Sequence, residues 1–468
     1  MVSLQDVSTF IVPGQLCALP QNEIDSCSVV SEYYPEINLN CEIFSTSISG
    51  HSTDAYRSVM VPVNEGVMKR IIRTFFESGF TEALNEARDK QTATVCPVIC
   101  TIAQYTFDML QFVKRLKTKV FPHTREVSIN NVAELSETRD WLRSYIRCIV
   151  WHPNCFKIAV AGSDDIVRIY TDEPAVVPVL RSVSQKWITS MAWRPLTAAE
   201  LAVGCQKGVC LWTMDTNMHI TRSATQAVFL KHPGHCPITS VQWNANGTLL
   251  ATASISDTDI LLWDVDRQLN TPLRRVGPPC SLLKWSPDAA NIFSATVGNV
   301  FRVWSANKKW TPERWTINCG VVQSACWSPC GNFLLFVTTG DSILYRLLFQ
   351  DEQIFASGAS PKEALKIADL TKFNAGRREV GGKPQALAWD ADGRYLAVIF
   401  KDTPCIALFN TCLKKFDMTI SPLCFLTGIN TEYPSYVCFQ SKTKRNTDTV
   451  LTIGWSSGRI EYFPFGSM

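Results

Sequence analysis

His235, Asp257 and a nearby hydroxyl are the residues of this sequence whose types and spacing could perform chemistry. A histidine held by a carboxylate can act as a general base, and the hydroxyl would come from Thr252 or Ser254, just before Trp263. The same groups can form a buried hydrogen-bond network, because polar groups removed from water need partners. We favour this structural network of His235, Thr252, Asp257 and Trp263 over a catalytic His–Asp pair.

The segment around Trp263 is one copy of a repeat. An apolar run that closes on an aromatic residue recurs seven times, and a second aromatic residue follows each of them. The interval is close to the roughly 40 to 45 residues of WD-type propeller blades, with longer intervals at three places. The first aromatic positions are Trp151, Trp193, Trp243, Trp285, Trp327, Trp389 and Phe439, and the second are Tyr170, Trp212, Trp263, Trp304, Tyr345, Phe409 and Tyr462.

Short apolar runs between these aromatic residues, such as LLATAS and YLAVIF, are bounded by turn residues such as Asn246-Gly247. This pattern is typical of strands and hairpins. Each repeat has room for a fourth strand, and four-stranded sheets that cannot cover their own faces pack side by side in a ring. The sequence therefore predicts an all-β seven-bladed β-propeller of the WD-repeat type.

The last repeat lacks its outermost strand, because RIEYFPF is its third strand and the sequence ends soon afterwards. An unpaired edge would leave the ring open. We expect residues 7–12, the β-branched segment VSTFIV, to supply the missing strand. The alternative is REVSI, residues 125–129.

An α-helical preface is predicted before the propeller. Met68, Ile71, Ile72, Phe75 and Phe76 follow a helical period, and further helices are predicted at about residues 81–88 and 94–118. We expect the apolar faces to be covered by the propeller, although packing among the helices or on a partner is also possible. The predicted segments are an N-terminal segment 1–60, the preface 61–140 and the propeller 141–468. The polar face opposite the first apolar stripe is the candidate partner-binding surface: Lys69, Arg70, Arg73 and Glu77.

Composition excludes several functional classes. The net charge of +3 is too small to indicate general nucleic-acid or membrane-surface binding. The 18 cysteines are spread along a long chain whose start, MVSLQDVSTF, lacks the pattern of an export signal, so we expect reduced thiols and a cytosolic or nuclear protein. Cys96 and Cys100 have no second ligand pair at metal spacing. We predict no metal, no cofactor, no direct nucleic-acid binding and no enzymatic activity.

Several stretches resemble the Aladin family of WD-repeat nucleoporins: KHPGHCPITSVQW, VFRVWSANKKWTPERW, IGWSSGRI, SGFTEALNEARDK and KVFPH. The likeness extends from about Val67 to Phe463 and includes the helical preface. It implies a peripheral subunit of the nuclear pore complex at the nuclear envelope, held at the pore membrane by a transmembrane nucleoporin and contacting other pore subunits. It also implies support of nucleocytoplasmic transport and a role at the mitotic spindle.

The competing hypothesis is a WD-repeat substrate receptor of a cullin-type ubiquitin ligase. Such receptors are expected to carry an arginine three residues after the Trp of a Trp-Asp pair. In WDVDR, Arg267 stands one position further along. We therefore favour a non-enzymatic scaffold of the pore, with membrane association through a partner protein.

Overall fold

The computed structural model describes residues 1–6, 9–11, 34–43, 68–69, 71–72, 75, 83–84, 87–88, 97–120, 127–172, 177–197, 199–214, 227–349, 363–375, 378–414, 417–429, 432–441 and 449–465. The chain divides into two compact units, one of Met1–Ile43 with Ser128–Met468 and one of Phe44–Val127. The predicted boundaries at residues 60 and 140 stay a prediction; in this division the residues on both sides of residue 140 belong to the larger unit.

The larger unit begins with three short strands and one turn of 3-10 helix at Leu4–Asp6. The strands are β1 (Val2–Ser3), β2 (Phe10–Ile11) and β3 (Ile37–Asn38). Antiparallel sheets follow, which we number as blades one to seven in chain order.

Blades one to four each contain four consecutive strands. Blade one contains β4 (Ile146–Trp151), β5 (Lys157–Gly162), β6 (Val167–Thr171) and β7 (Val179–Leu180). Blade two contains β8 (Ser190–Trp193), β9 (Glu200–Cys205), β10 (Gly208–Thr213) and β11 (Ala227–Leu230). Blade three contains β12 (Ile238–Trp243), β13 (Leu250–Ser254), β14 (Ile260–Asp264) and β15 (Leu269–Leu273). Blade four contains β16 (Cys280–Trp285), β17 (Asn291–Thr296), β18 (Val300–Ser305) and β19 (Thr311–Thr316).

The remaining blades use N-terminal strands as well. Blade five contains β20 (Val322–Trp327), β21 (Phe333–Thr338), β22 (Ile343–Leu348) and β23 (Leu365–Asp369). A hairpin of β24 (Phe373–Ala375) and β25 (Arg378–Val380) comes next. Blade six contains β26 (Pro384–Trp389), β27 (Tyr395–Phe400), β28 (Cys405–Leu413) and β29 (Met418–Thr427). Blade seven contains β30 (Pro434–Phe439), β31 (Thr449–Trp455) and β32 (Arg459–Phe465).

The first strands of the seven blades form a closed ring around the channel. Each contacts the first strand of the next blade, and β30 contacts β4. Apolar side chains fill the spaces between blades: Trp263 of blade three, for example, belongs to one buried cluster with Val209 and Leu211 of blade two. The prediction of a seven-bladed β-propeller is confirmed.

The hairpin turns bring neighbouring blades into close contact. Gly247 has a φ of +67°, a conformation that glycine adopts without strain. A side-chain carbon at this position would lie 2.5 Å from the backbone oxygen of Pro195 in the preceding blade. The turn residue is thus required both for the hairpin and for the packing of blade three on blade two.

The N-terminal strands pair with three successive blades. Ile37 of β3 pairs with Ile460 of β32 and gives blade seven its fourth strand. Phe10 and Ile11 of β2 instead pair in parallel with β29, as a fifth strand on blade six, and β1 adds to β23 of blade five. The prediction that residues 7–12 close the last blade is therefore wrong.

The physical reason is that three outer edges, not one, are available to extended N-terminal segments, and VSTFIV suits any of them. Ile37 is 2% exposed and Leu39 is fully buried, so β3 adds core contacts at blade seven as well as backbone pairing. The alternative, residues 125–129, is also wrong for the part that the structure describes, since Ile129 begins a helix.

The smaller unit is helical where it is described. Residues 68–69, 71–72 and 75 are helical, as are 83–84 and 87, and helix α1 spans Pro97–Val120. α1 begins at a proline, whose fixed φ and missing N–H suit the first helical position. Within the part of the chain that the structure describes, no helix combines the length and the apolar character that crossing a bilayer requires.

The apolar faces of these helices are only partly covered. Leu84, Ala87 and Ala103 are buried together, with Ile71 and Ile99 packed against them. Beside this cluster an open apolar groove of about 640 Å³ is lined by residues of all three helical segments. Further apolar side chains of α1 remain exposed, namely Val98, Ile102, Tyr105, Met109 and Val113.

Candidate functional site

Blade three contains the four residues singled out from the sequence, and they are in hydrogen-bond contact. Nδ1 of His235 lies 2.7 Å from Oδ2 of Asp257, and its Nε2 lies 3.0 Å from Oγ1 of Thr252. The indole N–H of Trp263 donates to the same Thr252 oxygen at 2.9 Å. The chain of contacts therefore runs from Asp257 through His235 and Thr252 to Trp263.

Each element of the blade supplies one member of this chain. His235 precedes β12, Thr252 is in the middle of β13, Asp257 is in the turn after it, and Trp263 is on β14. Desolvation opposes ionisation of Asp257, but hydrogen bonds from His235 and from the backbone N–H of Asp259 outweigh it. The pKa of that carboxyl is lowered as a result.

A hydroxyl, an imidazole and a carboxylate in this order also form the catalytic triad of hydrolases. Here Thr252 is 0% exposed and His235 is 1% exposed, so a substrate cannot reach the hydroxyl. Its oxygen is also occupied by the indole N–H of Trp263. The geometry suits a structural role, in which every buried polar group of the set has a partner.

The central channel contains a feature that sequence reasoning missed. Helix α2 (Ile129–Leu135) is N-capped by Ser128. In the chain after it, residues 136–143, some side chains contact the blades and others, such as Leu142, are exposed. We call residues 129–143 the channel segment. The backbone oxygen of Ser136 accepts hydrogen bonds from Gln323 of blade five at 3.0 Å and from Gln385 of blade six at 2.7 Å.

Charged and aromatic side chains hold the channel segment in place. Glu137 pairs with Lys284 of blade four at 2.9 Å and accepts a hydrogen bond from Ser324 of blade five at 2.7 Å. Trp141 is 1% exposed, and its indole N–H donates to the backbone oxygen of Ile188 at 3.1 Å. The guanidinium of Arg147 lies 3.8 Å from the centre of the Trp141 ring.

The other end of the channel segment contacts the blades that close the ring. Arg139 donates to the backbone oxygens of Phe400 and Thr403 at 3.0 and 2.6 Å, and its own backbone N–H donates to Ser435. Burial lowers the pKa of Arg139, with the charge of Asp140 acting in the opposite direction. A cavity of about 50 Å³ lies between Glu137, Lys284 and the inner strands. A second, open cavity of about 330 Å³ lies at the ends of the first strands of blades one, two, three and seven, beside Trp151, Trp193 and Trp243.

The signal for this segment was present in the sequence but was assigned to the helical preface. Ser128 three residues before Asn131 is a helix start, and Trp141 is a tryptophan outside the repeat. Because Ser136, Glu137 and Arg139 contact residues of blades four to seven, only the closed ring reveals their partners.

The candidate partner-binding residues lie in the smaller unit. Lys69 is helical and exposed, next to Met68, which is 53% exposed. Arg70, Arg73 and Glu77 lie outside the described residues. The assignment of these four residues as a binding surface thus stays a prediction.

Among the described residues, no group of three or more His, Cys, Asp or Glu side chains could hold a metal ion. Cys96 lies outside the described residues, and Cys100 is half-buried. Burial raises the pKa of Cys148 to about 11 and that of Cys326 to about 12. These thiols therefore stay protonated at neutral pH and behave as small apolar side chains.

Comparisons with known proteins agree with the fold and make it more specific. A family model described as the Aladin seven-bladed propeller matches residues 127–466. Aladin of Arabidopsis thaliana is 29% identical over 345 residues, which cover 68% of this chain and 75% of that protein.

Two further matches are less informative about function. The F-box-like/WD repeat-containing protein TBL1X of Homo sapiens is 30% identical over 125 residues, or 25% of this chain and 21% of that protein. The β-propeller domain of Myceliophteria thermophila Cps50 (Swd1) superposes with a TM-score of 0.52 at 17% identity, covering 69% of this chain and 97% of that structure. This last likeness concerns the fold alone.

Proposed function

The chain belongs to the Aladin family, and from this premise we propose that it is a non-catalytic scaffold subunit of the nuclear pore complex. In this proposal a transmembrane nucleoporin holds the protein at the pore membrane, and the protein supports nucleocytoplasmic transport. The same proposal includes the role at the mitotic spindle that the resemblance implies.

The observation that carries the scaffold assignment is that the channel segment occupies the polar groups that converge in the channel, while the open cavity at the ends of the first strands of blades one, two, three and seven is lined without charged side chains. The described part of the channel segment occupies the polar groups that converge there, including Lys284, Gln323 and Gln385. Propellers that act on small molecules commonly bind them where groups from several blades converge, and such a site needs an accessible cavity. In this protein the convergent polar groups hold the channel segment, so we place the recognition of partners on the outer surfaces.

The candidate contact surface is the polar face of the first helix, Lys69, Arg70, Arg73 and Glu77. The helical unit favours this choice, since a propeller needs no such unit to fold.

The test is localisation of a fluorescently tagged full-length protein. Reversal of the four charges should weaken the nuclear-rim signal while the melting temperature changes little, because exposed substitutions usually shift stability by less than about 0.5 kcal/mol. The matched control reverses Lys207 and Lys231, which are exposed on blade two and just after it, and should leave the rim intact. A normal rim with the four charges reversed would exclude this face.

A second candidate, a substrate receptor of a cullin-type ubiquitin ligase, is favoured only by the short match to an F-box-like WD-repeat protein. Arg267 is exposed, as a contact residue would have to be, but it pairs with Asp264 at 3.7 Å. Proximity labelling distinguishes the two functions. Enrichment of pore-membrane proteins supports the scaffold, whereas enrichment of cullin and its adaptors without pore proteins would replace it.

A further inference from the structure

Blade four contains two arginines whose guanidinium nitrogens are buried without acceptors. Arg302, in the middle of β18, is 8% exposed; its Nη2 donates to the backbone oxygen of Val276 at 3.0 Å, but its Nη1 has no partner. Arg275 lies in the loop between β15 and β16, and its Nε, Nη1 and Nη2 are all buried without a hydrogen-bond partner. Four guanidinium nitrogens of two permanent cations thus lack acceptors.

The two guanidinium groups face the same point of the loop. A side-chain carbon at Gly277 would lie 3.6 Å from Nη2 of Arg302 and 4.0 Å from Nη1 of Arg275. Arg314 is the direct cross-strand neighbour of Arg302 in the pairing of β18 with β19, and it is exposed. Three positive charges therefore lie together, one of them at the surface.

Among the described residues, no acidic side chain contributes to the electrostatics of Arg302. Desolvation, followed by the charges of Arg275 and Arg314, lowers the pKa of Arg302, and the single group that acts in the opposite direction is the thiol of Cys280. Burial raises the pKa of Cys280 to about 11, so the thiol is neutral near pH 7. Unpaired charges and unsatisfied donors in a protein interior are costly.

Blade one shows how the chain neutralises an arginine at the same place. Arg168 precedes Tyr170 as Arg302 precedes Trp304, and it pairs with Asp164 at 2.8 Å and with Glu42 at 3.2 Å. The position of Asp164 in the turn corresponds to Gly298 in blade four. The carboxylate that would complete the pair is therefore absent from blade four, where a second arginine is added instead.

We propose that Arg275, Arg302 and Arg314 bind a phosphate monoester, either on a phosphoserine or phosphothreonine side chain or as free phosphate. The ligand approaches at the exposed Arg314 and Gly277, and the loop between β15 and β16 shifts to uncover the buried nitrogens of Arg275 and Arg302. Guanidinium groups match tetrahedral oxyanions geometrically and form strong charge-assisted hydrogen bonds with them. A phosphate monoester carries nearly two negative charges at pH 7 and three acceptor oxygens, which suits three cations better than a single carboxylate does. This site is independent of the proposed function at the pore.

The experiment is calorimetric titration of the purified full-length protein with sodium phosphate, with ionic strength held constant by sodium chloride. We expect saturable binding with a Kd of about 1 mM or below. Arg275→Gln should weaken it by about tenfold or more, the effect of losing charged hydrogen bonds. Arg274→Gln is the matched control, because Arg274 is the exposed neighbour in the same loop, and it should bind as the unaltered protein does.

Two further arms make the result decisive. Arg314→Gln changes an exposed side chain, so it should fold normally and still weaken binding, whatever happens to the buried positions. The second measurement compares phosphate with a Gly-Gly-phosphoserine-Gly-Gly peptide and with its unphosphorylated form. If the phosphorylated peptide binds more tightly than phosphate and the unphosphorylated form does not bind, the ligand is a phosphorylated protein segment. If the phosphorylated peptide binds more weakly than phosphate, the ligand is free phosphate. Absence of saturable phosphate binding, or equal weakening by Arg274→Gln and Arg275→Gln, overturns the proposal.

Discussion

Blades three and four use corresponding positions of the same sheet in opposite ways. In blade three a histidine before the first strand and an aspartate in the central turn complete a hydrogen-bonded chain from Asp257 to Trp263. In blade four the corresponding positions are Gly277 and Gly298. The indole N–H of Trp304 donates to Oγ of Ser294 at 3.0 Å, and this hydroxyl donates to the backbone oxygen of Arg302 at 3.3 Å, so the chain ends on the backbone.

The loss of the histidine and the aspartate changes which side chains occupy the end of the sheet in blade four. Without a histidine and an aspartate, blade four has room for the guanidinium groups of Arg275 and Arg302. A side-chain carbon at Gly298 would lie 2.8 Å from Cγ of Pro278, so this glycine also lets the arginine-bearing loop pack closely. The repeat thus fixes the sheet and the tryptophan, while the two loop positions decide whether the polar groups are satisfied within the blade.

The largest loss of stability should come from replacing the buried tryptophan that both blades contain. Trp263 is 7% exposed and Trp304 is 3% exposed, and each indole donates one hydrogen bond. Trp263→Ala and Trp304→Ala should each cost about 3 to 5 kcal/mol, as large-to-small core substitutions do. Chemical denaturation measures the free energy of unfolding of both variants. If either variant unfolded like the unaltered protein, its tryptophan would not be a core residue of the blade.

The next prediction contrasts paired and unpaired arginines. Arg168→Gln in blade one leaves Asp164 and Glu42 without their shared cation and should cost about 1 to 3 kcal/mol of unfolding free energy. Arg302→Gln in blade four removes an uncompensated buried charge and should leave stability unchanged or raise it. Equal losses in the two variants, measured by thermal melting in phosphate-free buffer, would show that Arg302 has an internal counter-charge.

Much of this comparison was accessible from the sequence, because the repeat places aromatic residues at a regular interval. The assembly of His235, Thr252, Asp257 and Trp263 could be expected since each residue type falls at a defined place on a hairpin. The partners of Glu137 and the closing strand β3 could not be expected. Both depend on contacts between residues far apart in sequence, Glu137 with Lys284 and Ile37 with Ile460, and neither has a local periodicity.

The arginine site was missed for a different reason. Arg302 is a single charged residue in an apolar strand, and Arg275 is one of two adjacent arginines in a loop. Their proximity depends on how the loop after β15 folds back over β18. A useful signal was the arginine two residues before the second aromatic of both blade one and blade four, combined with the loss of the turn aspartate from blade four.

A third prediction tests the blade-three chain without removing the tryptophan. Asp257→Ala removes the acceptor of His235 and of the backbone N–H of Asp259, so its cost should be about 1 to 3 kcal/mol. The matched substitution in blade four is Asn299→Ala, which is exposed and adjacent to Gly298, and it should be nearly neutral. Hydrogen exchange of blade three should rise in Asp257→Ala alone. Unchanged melting of that variant would mean that Asp257 does not stabilise the blade.

The smallest effect is the dependence of stability on pH that Asp257 gives to blade three and that Gly298, at the corresponding position of blade four, cannot give. The pKa of Asp257 is lowered from its ordinary value of 3.8 in the folded protein. The unfolded state therefore binds a proton more readily, and the stabilisation from ionised Asp257 is present above about pH 4 and is lost as the pH falls through the lower folded value. The variant Asp257→Asn lacks this contribution at every pH.

The difference in melting temperature between the unaltered protein and Asp257→Asn should accordingly be constant near neutral pH and shrink below pH 3.8. The control pair, unaltered protein against Asn299→Ala, should show a constant difference over the same range. A difference for Asp257→Asn that stays constant down to the acid limit of folding would show that the carboxylate is not ionised within the network.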